Sequence, residues 1–67
     1  MNKMERIITV KAIYSRLAKL DESREEFRLK DLDVYHIDME IEFLRKKVRD
    51  IMNDPLIKIT PDDVDYN

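Results

Sequence analysis

Sixty-seven residues allow one domain, and 42% of them are charged, with both signs mixed to a net charge of only −2. With no Cys and no Gly, the chain has no disulfide, thiolate zinc site, thiol nucleophile, Walker loop or dinucleotide fingerprint. A single His excludes a site built on paired histidines, and no stretch approaches the roughly 20 apolar residues of a membrane span.

A chain of this length buries only about 60% of the surface its unfolded form exposes, and a core of this class rarely supplies more than roughly 3–5 kcal/mol. Disulfides and zinc being excluded, extra buried area is expected from oligomerisation or from docking on a partner. Without glycine, turns that need φ > 0 become costly, which disfavours short β-hairpins and favours helices joined by polar turns. No signal-peptide pattern opens the chain, so the expectation is a soluble cytoplasmic protein.

Residues 3–20 predict a first helix. Ile7, Val10, Ile13, Tyr14, Leu17 and Leu20 share one arc at helical spacing, with Lys11, Ser15, Arg16 and Lys19 on the other. Asn2 is the expected N-cap, with Glu5 three residues on. In "LDESREEFRLKDLD", Ser23 and Glu26 have the spacing of a capping box, which predicts a short second helix over 24–31 with Phe27 and Leu32 inward. Asp31 or Asp33 is expected to cap the next element.

The stretch "DVYHIDMEIEFLRKKVRDIM", residues 33–52, carries two periods. Tyr35, Ile37, Met39, Ile41 and Phe43 alternate as in a half-buried strand, whereas Val34, Ile37, Ile41, Leu44, Val48 and Ile51 follow helical steps. Acids (Asp38, Glu40, Glu42) fill the first half and bases (Arg45, Lys46, Lys47, Arg49) the second, an order that suits a helix dipole and means nothing to a strand. Glu42 and Lys46 have the i,i+4 spacing of a helical ion pair, and "NDP" is a common helix exit. A helix over about 34–53 is therefore expected. The tail, residues 55–67, is expected to be short, extended and acidic, beyond a helical domain at 1–54.

The fold expected is thus all-α: a helical hairpin or three-helix domain whose long helices pack antiparallel. Six successive a/d-type positions, Val34, Ile37, Ile41, Leu44, Val48 and Ile51, form a coiled-coil-like stripe expected to serve as a homodimer interface, with packing inside the monomer as the alternative. Tyr35, Met39 and Phe43 form a second apolar row at i, i+4, i+8 and are the candidate partner-binding face, unless Phe27, Leu32 or the "LIKI" tail folds over it.

Other constellations are weaker. Asp33, His36 and Glu40 share a helical face but are too few for a metal site with its supporting shell. Carboxylates abound, yet a helical domain this small offers no cleft to perturb them for catalysis, so no enzyme activity, metal or cofactor is expected. Lys11, Arg16, Lys19, Arg45, Lys46, Lys47 and Arg49 raise nucleic-acid binding as the alternative function. Residues 21–42, with nine acids against three bases, would repel phosphate, or could imitate it toward a basic partner. The sequence thus points to a non-catalytic protein-interaction module: a small adaptor, inhibitor or assembly factor, of a brevity and composition that would fit a phage or mobile-element accessory protein.

Overall fold

A computed structural model describes residues 2–64. Two α-helices, α1 (Lys3–Leu29) and α2 (Tyr35–Met52), form an antiparallel hairpin, followed by a 3-10 turn at Pro61–Val64. The molecule is elongated, 44 × 22 × 15 Å, because α1 alone, at 1.5 Å per residue, runs about 40 Å. Among the described residues the fold is all-helical, and no helix is long and apolar enough to cross a membrane.

The separate helix expected over 24–31 does not form, so three helices become two. α1 runs through Ser23 without a break. The stretch 21–26 holds neither Gly nor Pro, and its Glu and Arg residues are good helix formers. With hydrogen bonding continuous on both sides, the local capping signal of Ser23 and Glu26 has no free helix end to satisfy. The cap at Asn2 forms as expected, its Oδ1 accepting from the Glu5 N–H at 2.8 Å.

The end of α1 shows how a chain without glycine turns. Lys30 closes the helix and Asp31 takes the left-handed conformation, φ 57°. The Leu32 N–H reaches the Phe27 carbonyl at 2.8 Å and the Asp31 N–H the Arg28 carbonyl at 3.2 Å. These two bonds make a Schellman motif, with Asp where Gly is usual; a short polar side chain is among the few that tolerate this region. Asp33 then accepts from the Tyr35 N–H at 2.9 Å, supplying the side-chain support for the start of α2 that its cap residue, Val34, lacks.

The heptad-like stripe lies in the seam between the helices. Ile41 and Val48 are buried, Leu44 and Ile51 are half-buried against the core, and Val34 and Ile37 are half-buried. Within the chain it is therefore packed on α1, the alternative to its expected use as a dimer interface. Arg16 pairs with Glu40 at 2.9 Å and Arg24 with Asp38 at 2.6 Å. Glu40 and Asp38 are two residues, about 200°, apart round the helix, so these pairs clasp the stripe from opposite edges and pin the antiparallel register.

The tail departs from the extended appendage expected for it, as far as residue 64; residues 65–67 lie outside the described residues. After α2, Asp54 makes a local turn by accepting from the Leu56 N–H at 2.8 Å across Pro55. The chain then returns to α1, where Ile59 and Val64 are each 4% exposed and join Val10, Ile13 and Val48 in one buried cluster. A lone helix pair can bury only one stripe per helix; the tail adds a third layer at the end of the hairpin nearest the N-terminus. Asp63 accepts from both the Thr60 N–H and its hydroxyl, at 3.0 and 3.2 Å, and pairs with Lys3 at 3.5 Å. Arg6 reaches Asp54 at 2.6 Å. These two pairs tie the first two turns of α1 to the return segment.

Candidate protein-interaction face

The third layer covers one end of the hairpin and leaves the outer face of α2 bare. Tyr35, Met39 and Phe43 remain 60%, 50% and 66% exposed. They occupy one line along the helix, about 160° round from the seam at 100° per residue. The tail goes to Val10 and Ile13 instead, and Phe27 and Leu32 stay exposed, so none of the three covers suggested by the sequence closes this row.

Next to the row, a groove of about 810 Å³ opens between the helices. Tyr14 and Leu17 of α1 and Val48 of α2, the least exposed of its lining residues, form its floor; Glu42, Arg45, Lys46 and Arg49 form its rim along the flank of α2, with Met39 and Phe43 beyond them. Tyr14 is held there by its hydroxyl, which donates to the Met52 sulfur at 3.8 Å. Sequence reasoning placed Tyr14 and Leu17 on the inward arc of α1 and so missed their part in this surface. Both are half-buried; Tyr14 lies near the edge of that arc but Leu17 near its middle, so arc position did not mark the pair.

Electrostatically the rim differs from the seam. On α1, Arg6, Arg16, Arg24 and Arg28 all have carboxylate partners. The Arg16 guanidinium, by hydrogen bond and charge, holds the Glu40 carboxyl below its ordinary range. Asp54 is lowered chiefly by the Leu56 amide and further by Arg6, and Asp63 chiefly by the Thr60 amide and further by Lys3. By contrast Glu42, Arg45, Lys46, Lys47 and Arg49 form no ion pair among the described residues. The Glu42–Lys46 pair suggested by spacing is absent, as is common where solvent competes for both ends of an exposed pair.

The remaining candidates are dispersed. Lys11 and Lys19 are exposed on the back of α1 and Arg16 is engaged with Glu40. Arg45, Lys46 and Lys47 are successive residues, so they fan over about 200° of α2 rather than forming one basic strip. Of the Asp33, His36 and Glu40 set, Asp33 caps Tyr35, the His36 ring packs edge-on to Tyr35 at 5.7 Å, and Glu40 is taken by Arg16. Among the described residues, no group of three His, Cys, Asp or Glu side chains is placed to hold a metal ion.

Compared with protein families, with curated proteins and with solved structures, the chain finds no match.

Proposed function

We propose that the chain is a non-catalytic protein-protein interaction module, a small cytoplasmic adaptor, inhibitor or assembly factor that works as a homodimer and binds through the outer face of α2. The observation that carries this reading is the bare row Tyr35–Met39–Phe43, half or more of each residue open to water beside a groove with an apolar floor. Aromatic and Met side chains are favoured at interface centres, where large area comes with adaptable packing.

Replacing Met39 and Phe43 together with Ser tests it. Both are exposed, so helicity should be unchanged, while affinity for a partner purified from the native host should fall at least ten-fold. Undiminished affinity would refute the face, and loss of helicity would mean that these residues belong to the core.

A dimeric nucleic-acid-binding regulator is the second reading, favoured by the unpaired bases Arg45, Lys46, Lys47 and Arg49. Phosphate contacts would make duplex DNA binding fall steeply with salt. No binding at low salt would dispose of it.

A further inference from the structure

The charges beside the bare row are ordered. Along the flank of α2 that borders the groove, Glu42 comes first and Arg45, Lys46 and Arg49 follow, within about 100° of helix surface. None of them has an ion-pair partner within the chain among the described residues. When two helices meet antiparallel about a two-fold axis, the same flank of each comes together in reverse order. An acid-then-base order is then its own complement: each Glu42 meets bases of the other copy, whereas a parallel pairing would not bring this flank against itself.

We infer that the Tyr35–Met39–Phe43 face is covered by a second copy of this chain, with the two α2 helices antiparallel and the axis close to Phe43. This deepens, and rests on, the interaction-module reading by naming a second copy as the partner that occupies its binding face, and it places the subunit contact there, opposite the heptad-like stripe on the same helix. With the axis there, Phe43 packs on its counterpart. Met39 lies against the aliphatic stem of Lys46 of the second copy, and Glu42 lies within reach of Arg45. The stripe could not serve without opening the hairpin, since Ile41 and Val48 are 5% and 7% exposed. The outer row can bury its area with the fold intact, and it supplies the extra burial that a chain of this size needs.

The test is a charge exchange read by light scattering at low and high salt, with circular dichroism as the folding control. Wild type should be a dimer whose dissociation constant rises with salt. Arg45→Glu with Arg49→Glu makes the flank predominantly acidic, and Glu42→Arg makes it basic. Each variant alone should dimerise at least ten-fold more weakly than wild type, and an equimolar mixture should recover wild-type affinity as a heterodimer. A monomeric wild type, variants that dimerise undiminished, or a mixture that stays weak would each overturn the pairing. Partner binding that still needs Met39 and Phe43 in a monomeric chain would overturn the pairing alone and leave the module reading standing.

Discussion

Ile59 gives the sharpest perturbation of the fold. It is 4% exposed, comes from the return segment, and packs with Val10, Ile13, Val48 and Val64. Ile59→Ala removes three carbons, about 2.4 kcal/mol of transfer free energy at about 0.8 kcal/mol per group. The cavity left behind brings the expected loss into the range of about 2–5 kcal/mol. Set against roughly 3–5 kcal/mol for a core of this class, that removes most of the stability. Urea titration followed by circular dichroism, at one fixed protein concentration because association adds to stability, reads the loss. Leu56→Ala, at a position 90% exposed in the same segment, is the control and should fall within about 0.5 kcal/mol of wild type. If Ile59→Ala behaves like Leu56→Ala, the return segment is no part of the core and the two helices carry the fold unaided.

Asp31→Gly should stabilise the hairpin by about 0.5–1 kcal/mol, because Gly meets no Cβ penalty at φ 57°; an unchanged or lower urea midpoint would contradict the Schellman closure. Acid should weaken the fold with a definite sign. The folded-state pKa values of Glu40, Asp54 and Asp63 are lowered, so their contribution is complete above the ordinary carboxylate range near about pH 4 and is lost as pH falls below that range and through the lowered folded-state values. The urea midpoint should hold from neutral pH to about pH 5 and drop below that. Asp54→Asn, which cannot ionise, should lose less on acidification than wild type; an equal loss would remove Asp54 from the account.

Much of this architecture was legible because it is local. The cap at Asn2, the helical period of 34–51 and the exit at "NDP" each depend on residues within a turn or two of one another, and each is where the sequence places it. The two apolar faces of α2 were legible too, since both periods are written in one segment; which face meets α1 and which stays bare is settled by the partner surface. The Ser23–Glu26 spacing misled because a capping signal is conditional: it acts only where a helix end exists, and nothing at 21–26 makes one. The return of the tail was hidden for another reason. Ile59 and Val64 stand five residues apart across Pro61 and follow no period. Their partners Val10 and Ile13, like the Arg6–Asp54 pair, lie some 50 residues away along the chain. The Tyr14–Leu17 side of the groove belongs to this non-local class as well, since it exists only once α2 is laid against α1.

In the proposed dimer α2 spends its heptad-like stripe inside the chain and its opposite row between chains. Isotope-filtered NMR on an equal mixture of labelled and unlabelled protein separates the two directly. Contacts from Val48 methyls to Val10 and Ile13 should arise only within one chain, while the Met39 methyl and the Phe43 ring should show contacts that cross between chains. Interchain contacts from Ile41 or Val48, or none from Met39 and Phe43, would contradict it.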